Sequence, residues 1–462
     1  MTAVLSSEPA SAAPQQQAQP GANLALTLLV AINLFNYIDR QVLAAVEPEI
    51  RKALFPESVV PGADRAIVEH AKTMMGWLSS AFLITYMLTS PIFGKLAERF
   101  SRWLLIGVGV ILWSLASGAS GWSWSHDLLL AYWVLFATRC LVGVGEAVYG
   151  PVAPTLLADL YPVSRRGRVM AWFYLAIPVG GALGFTLGEF VAHGGLAGVF
   201  GATAGGPEAW RWAFYVVVPP GLLLGLCCFL MREPTAGASD GVALAARKMA
   251  WQDYRTLLET PSYVLNTLGM TAMTFAIGGL AYWMADYLDY RQVQPMGGIG
   301  PRTLFGGITV LAGFSATLLG GLVGDWLRPR FSGSYFLVSG TAMMLGFPMI
   351  LLMIYTPFPT AWVWVFFAVF CLFFNTGPTN TILANVTHPS IRATAFAINI
   401  LVIHLLGDVA SPPLMGKISG RWNPDVSFMV VSAAVLVGGV FWLCGARYLE
   451  RDTALAPTRL QA

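Results

Sequence analysis

Of the 462 residues, 56% are hydrophobic and only 11% are charged, against about 25% charged in soluble domains. With 16 Trp, 27 Phe and a mean hydropathy of +0.64, the apolar surface exceeds what one aqueous core can hide, which excludes an ordinary soluble enzyme. A net charge of +3, from 27 Lys and Arg against 24 Asp and Glu, is too balanced to point to a nucleic-acid partner.

Residues 1–22 are rich in Ala, Pro, Gln and Ser and carry no Lys or Arg. They read as a disordered tail without the basic start of a signal peptide. Apolar runs follow near residues 24–46, 74–97, 103–121, 128–150, 169–191 and 212–231, and again near 262–288, 303–327, 334–355, 360–384, 393–416 and 427–447. A helical span needs roughly 20 apolar residues, so each run is expected to cross a bilayer once. The polar segment 232–261 divides the runs six and six and is expected to be a linker with a surface helix. The predicted organisation is therefore a tail (1–22), a six-helix bundle (23–231), the linker (232–261), a second six-helix bundle (262–450) and a tail (451–462). A second polar insertion, 49–72, follows span 1, with an amphipathic helix expected around Ala66 to Lys72. The five cysteines all lie in apolar stretches and read as small core hydrophobes.

Sixteen Lys and Arg fall in the even-numbered connections and tails, nine on the opposite side, and two, Arg40 and Arg139, inside spans. The positive-inside rule then places both termini in the cytoplasm and the protein in the cell (inner) membrane. The halves also repeat. GKLAER at Gly94–Arg99 is echoed by GLVGDW at Gly321–Trp326, which contains Asp325, at an offset of 227 residues, and Arg168 is echoed by Arg392 at 224. Two near-equal offsets close to half the length indicate an all-α membrane protein of twelve transmembrane helices in two pseudo-symmetric six-helix bundles around a central cavity.

Four ionisable residues sit well inside the spans: Asp39 and Arg40 in span 1, Arg139 and Glu146 in span 4. Unpaired, each costs about 2.5 to 3.5 kcal/mol, so they must be paired or hydrated. Asn33, Asn36, Tyr37 and Arg40 form one polar stripe on span 1, and Arg139, Gly143 and Glu146 share a face of span 4. Static ion pairs holding the bundle together are the plain alternative. Intramembrane carboxylates more often mark ion or proton pathways, which makes Asp39 and Glu146 candidate proton carriers.

The second half is polar rather than charged, with Asn375, Asn399, His404 and Asp408 among its intramembrane groups and no Lys or Arg expected to be buried there. Asp408 one turn after His404 would hold the imidazole's tautomer and suit a second titrating site. Small residues recur along IPVGGALGFTLG at Ile177–Gly188, which allows close helix approach in span 5.

GKLAERFSRW after span 2 resembles the signature of the major facilitator superfamily, in which Gly94, Glu98, Arg99 and Arg102 are implied to form a gating charge latch. NYIDRQVLAAVEPEI, RCLVGVGEAVYGPVAPTLLADLYP and RGRVMAWFYLAIPVGGALG resemble the Spinster branch, and HPSIRATAFAINILVIHLLGD around span 11 is the best match in the second half. The superfamily implies a rocker-switch transporter. The Spinster resemblance implies proton-coupled movement of lysophospholipid or sphingoid-like amphiphiles, with Asp39 and Arg40 as the coupling pair, Arg139 and Glu146 lining the cavity, and Arg392 and His404 carried over in the second half. Trp326 stands where the first-half latch has Arg99, so a second latch around Asp325 is expected to be weaker or to use Arg328.

The expected function is thus proton-coupled secondary transport by alternating access. Arg40 and Arg139 would attract an anionic or zwitterionic headgroup, with Asn36, Asn375 and Asn399 as polar contacts and Tyr37, Tyr149, Trp172, Tyr174 and Phe275 as walls. The expected partners are protons and a small-molecule or lipid substrate, acting on a monomer. The competing reading is a proton-coupled transporter of a small organic anion or sugar acid, for which buried basic residues in the second half would be the mark. A membrane enzyme using His404 and Asp408 finds no supporting motif, no cofactor is called for, and a scaffold would have no use for the buried carboxylates.

Overall fold

The computed structural model describes residues 18–97, 99–124, 126–201, 206–234, 251–388 and 391–459. Its α-helices are α1 (Ala22–Ala45), α2 (Glu47–Leu54), α3 (Arg65–Leu96), α4 (Arg102–Gly121), α5 (Leu128–Glu146), α6 (Tyr149–Leu160), α7 (Val163–Ala192), α8 (Ala197–Phe200), α9 (Trp210–Cys228), α10 (Trp251–Leu258), α11 (Pro261–Tyr290), α12 (Pro301–Leu327), α13 (Ser334–Tyr355), α14 (Ala361–Phe373), α15 (Thr376–Val386), α16 (Arg392–Ile403), α17 (Ser411–Arg421), α18 (Pro424–Gly445) and α19 (Leu449–Leu455). A π-helical turn, His404–Asp408, joins α16 to α17.

Helix suits a chain in hydrocarbon, because it satisfies the backbone donors within the segment itself. Twelve segments of the described residues are long and apolar enough to cross a membrane. Spans 4, 10 and 11 each combine two helices, α5 with α6, α14 with α15, and α16 with α17. Starts are fixed by local chemistry. The side chains of Asp64, Ser101, Asp127 and Asn423 accept from the first free backbone N–H groups of α3, α4, α5 and α18. Pro261, Pro301 and Pro424 occupy first turns, where a missing N–H does no harm. Large apolar side chains such as Leu88, Leu230 and Leu322 stay exposed on the outside of the bundle, as a lipid-facing surface requires.

Prolines set the breaks. Pro151 has no N–H for the carbonyl of Ala147, and Pro378 none for that of Phe374, so spans 4 and 10 interrupt their ladders at equivalent places, 227 residues apart. In span 11, Pro413 leaves the carbonyl of Val409 without a helical donor. The hydroxyl of Ser80 on α3 supplies one at 2.6 Å.

Within the first half, Gly180, Gly184 and Gly188 lay α7 directly on the backbone and side chains of α1, as the small-residue stripe predicts. Between halves, α3 packs on α17 and α7 on α12. Gly76 lies under Pro412 and Pro413, and Gly416 and Gly420 lie under the backbone of Lys72 and Glu69, too close for any added Cβ.

Two expectations change. Ala66–Lys72 is no separate amphipathic helix but the opening turns of the 32-residue α3, because the Asp64 cap runs straight into the apolar stretch. The insertion contributes α2 instead. Residues 451–459 of the expected C-terminal tail are tied to the second half: the buried carboxylate of Asp452 accepts from the N–H of Ser262 at 2.9 Å and from Arg459 at 2.8 Å. Residues 1–17 of the expected N-terminal tail, 235–250 of the expected linker and 460–462 at the C-terminus lie outside the described residues. The described part of the expected linker, after residue 250, forms α10.

Candidate functional site

The even number of spans puts both chain ends on one face, here termed the terminal face; the opposite one is the distal face. A cavity of about 980 Å³ runs between the halves. Its walls extend from Ala44 and Tyr282 at the distal end to Gly94 on α3 and Ala397 on α16 at the terminal face, towards which it opens.

The four charges of the first half form two crossed pairs. Arg40 Nε donates to Glu146 Oε2 at 2.6 Å. Asp39 accepts from the hydroxyl of Ser117 and lies 3.9 Å from Arg139 Nη1. The reason is helical rotation: consecutive residues on α1 point about 100° apart, so Arg40 turns to the cavity and Asp39 into the bundle. Arg40 keeps 22% of its side chain exposed, and its guanidinium lies 4.8, 4.9 and 5.3 Å from the ring centroids of Phe82, Tyr37 and Tyr86. Arg139 is 1% exposed and does not line the cavity, which corrects the expectation that it does. Asn36 Nδ2, Asp39 Oδ2, Glu146 Oε1 and Arg139 Nε have no hydrogen-bond partner among the described residues, leaving capacity for protons or solvent around these pairs.

Asn36, Tyr37, Tyr149 and Tyr174 line the cavity beside Arg40. Trp172 does not and is exposed, because its turn on α7 points it away from the cavity that its neighbours Phe173 and Tyr174 line. Phe275, expected as a wall, does not line the cavity either and packs against the hydrophobic core that the two halves share. Asn375 and Asn399 are buried inside that half, donating to the Cys371 carbonyl at 3.4 Å and the Thr267 hydroxyl at 2.9 Å, and do not reach the cavity. His404 and Asp408 do: the imidazole Nδ1 and a carboxylate oxygen are 2.9 Å apart across the π-turn.

At the terminal face Arg102 bonds Asp159 of the first half at 2.6 Å and Glu233 at the start of the linker at 2.7 Å, so among the described residues this arginine makes no bridge to the second half where the cavity is open. Gly94 lines the mouth, Arg99 is exposed, and Glu98 lies outside the described residues. Asp325 accepts from the Tyr335 hydroxyl at 2.9 Å, Arg328 reaches the Ser332 carbonyl, and Arg392 is exposed at the start of α16.

Sequence reasoning missed the ionic groups that shut the distal end. Asp286 of α11 takes both Arg51 of α2 and Lys72 of α3, the latter at 2.7 Å. Arg302 of α12 binds Glu49 across the interface at 2.9 Å and Asp289 on α11 at 3.1 Å. Glu189 at the end of α7 accepts from the N–H groups of Arg302 and Thr303 at 3.0 and 2.9 Å, capping α12 from the other half. Arg302 also corrects the expectation that the second half buries no basic residue, although it sits outside the cavity. Asp286 and Glu189 lie near the ends of their apolar runs, where a charge costs little, so the insertion cost that singled out Asp39 gave no comparable signal for them.

The family model for the Major Facilitator Superfamily matches residues 29–412. Protein spinster homolog 3 of Danio rerio is 34% identical over 94% of this chain and 86% of its own length. Protein spinster homolog 1 of Homo sapiens is 33% identical over 95% of this chain and 83% of its own. The sphingosine-1-phosphate transporter SPNS2 of Mus musculus is 32% identical over 92% and 77%. Among solved structures, a bacterial homolog of the human lysosomal transporter Spinster, in an inward-facing and unoccupied conformation, superposes with a TM-score of 0.75 at 20% identity, covering 96% of this chain and 99% of that one.

Proposed function

This chain belongs to the spinster proteins of the Major Facilitator Superfamily, and we propose that it is a proton-coupled transporter of amphiphiles with an anionic or zwitterionic headgroup, of the lysophospholipid or sphingoid type. Transport itself comes with the family. The observation that carries the finer reading is Arg40, the cavity-lining cation of the first half, held by one carboxylate and ringed by three aromatic side chains in a cavity otherwise walled largely by apolar groups such as Leu83, Met87, Ile277 and Leu401.

A phosphate or carboxylate competes with Glu146 for that guanidinium, which binds such groups in bidentate geometry. Once displaced, Glu146 is a buried carboxylate without its cation, and a proton relieves the cost. Headgroup binding and proton uptake therefore favour each other. Asp39 lies behind this pair, 3.9 Å from Arg139, and the His404–Asp408 pair faces the cavity from the opposite wall. The apolar remainder of the cavity accepts the tail, which favours an amphiphile over a small organic anion. The mouse relative named for sphingosine-1-phosphate supports that class. Reorientation is the opening of the distal end as the terminal mouth closes, in a monomer with both ends in the cytoplasm, in keeping with the excess of basic residues on that face.

The test is gradient-driven movement of a labelled lysophospholipid in proteoliposomes, for the wild type, Asp39→Asn and Glu146→Gln. Movement that follows the imposed pH gradient and is lost in both variants is expected. Movement indifferent to the gradient, or none with well-folded protein while a small organic anion is carried, overturns the reading.

A further inference from the structure

We infer that the carboxylate of Glu47 is a second proton-binding site, set in the distal closure between the two halves and filled when that closure is shut. The site is separate from Asp39 and Glu146 and rests only on the two-half architecture.

Glu47 begins α2, just beyond span 1, and is fully buried. Its Oε1 accepts from Arg51 Nε on the same helix at 3.0 Å, while Oε2 has no hydrogen-bond partner among the described residues. Arg51 is shared: its Nη2 donates to Asp286 on α11, in the other half. Asp286 also takes Lys72 from α3, and that ammonium reaches the Ser419 hydroxyl on α17 at 2.9 Å. The Tyr282 hydroxyl of α11 donates to the Met75 carbonyl, and the Tyr132 hydroxyl of α5 to the Met74 carbonyl at 2.9 Å, sealing the pocket. The charged groups facing Glu47 are thus Arg51 from its own helix, Asp286 from α11 and Lys72 from α3, with Tyr282 of α11 and, behind it, Tyr132 of α5 as the phenols.

Both cations are engaged by Asp286 while the closure is shut. Glu47 is left with half of one guanidinium and an oxygen that meets no donor, in a place from which water is excluded. Such an oxygen is costly as an anion and cheap as a protonated acid. Burial pushes Glu47 up to about 7, with Arg51 pulling it down and Asp286 pushing it further up. Opening the distal end withdraws Asp286 with α11, admits water and leaves Arg51 to Glu47 alone, each of which favours the carboxylate. The closed form therefore binds the proton more tightly than the open form, and acid favours closure. For one linked proton the closed-to-open ratio rises by up to tenfold per pH unit as pH falls below about 7, and is level above it.

The test uses the full chain in lipid nanodiscs, without substrate and with the native cysteines replaced, carrying spin labels at Val60→Cys and Met296→Cys. These exposed positions lie on distal loops of the two halves. The distance distribution is followed from pH 5.5 to 8.5. Closure that deepens on acidification below about 7 is expected. Glu47→Gln should hold the short distance with no pH response over this range, and Glu47→Asp should keep a response. A Glu47→Gln protein with the wild-type pH response overturns the inference, as does a wild type with none. The Asp39→Asn/Glu146→Gln double variant should keep the distal response whether or not it has lost gradient-driven transport, which separates the fate of this site from that of the cavity pair.

Discussion

Arg40 and Glu146, 106 residues apart in sequence, meet at 2.6 Å where the first span faces the break in the fourth. Asp39, one residue before Arg40, faces the other way, with Arg139 3.9 Å from it. Neighbours in the chain thus belong to different pairs, one open to the cavity and one sealed behind it, and the two have different consequences when broken.

Replacing the exposed pair's acid should change transport more than stability. Glu146→Gln keeps the volume and an acceptor for Arg40 but gives up the charge, so the protein is expected to fold and to lose at least tenfold of its gradient-driven transport. Binding of an anionic lysolipid should become insensitive to pH between 5.5 and 7.5, measured by titration in detergent. A pH-dependent affinity equal to the wild type would remove Glu146 from the coupling.

Breaking the sealed pair should act on stability. Arg139→Met leaves Asp39 buried with its nearest counter-charge gone, which is expected to cost about 3 to 5 kcal/mol. Asp39→Asn with Arg139→Met removes both charges and should recover most of it. Thermal unfolding of both single variants and of the double variant checks this, and losses that simply add would mean that the charges do not act on each other.

The distal seam predicts a conformational effect without a change of charge. A side chain at Gly416 would drive into the backbone of Lys72, so Gly416→Leu should prevent α3 and α17 from closing. Labelling of a cysteine placed at the distal end of the cavity, for example Ala44→Cys, should rise severalfold from the distal side. Unchanged labelling would show that the seam closes by other contacts.

Ser80→Ala isolates one hydrogen bond across the same seam. It removes the donor to the Val409 carbonyl, which Pro413 cannot replace, and leaves that carbonyl buried and unpaired at a cost of about 1 to 3 kcal/mol. The closed-to-open ratio measured by spin-label distances should fall by roughly fivefold or more. A ratio equal to the wild type would mean that the carbonyl finds another donor.

Much of this molecule is written along the chain. Apolar runs of bilayer length, the midway polar break and the 227-residue echo are local or periodic features, so they specify twelve helices in two related halves before any packing is known. The cost of charge in hydrocarbon likewise singles out Asp39, Arg40, Arg139 and Glu146. The same pattern places Arg40 on the Asn36 and Tyr37 stripe, the stripe that lines the cavity.

Tertiary structure decided the partners. A heptad pattern gives the face of a helix to within a few tens of degrees, but which opposing face meets it depends on the rotation and register of helices hundreds of residues away. That is why Arg139 reads from sequence as a cavity group yet is packed behind Phe82, and why Asn375 and Asn399 turn inward to Cys371 and Thr267. The distal closure lay furthest from view. Arg51 and Asp286, 235 residues apart, sit at the ends of ordinary spans where charge is cheap, and only the docking of the two halves buries them together and turns surface charges into a gate.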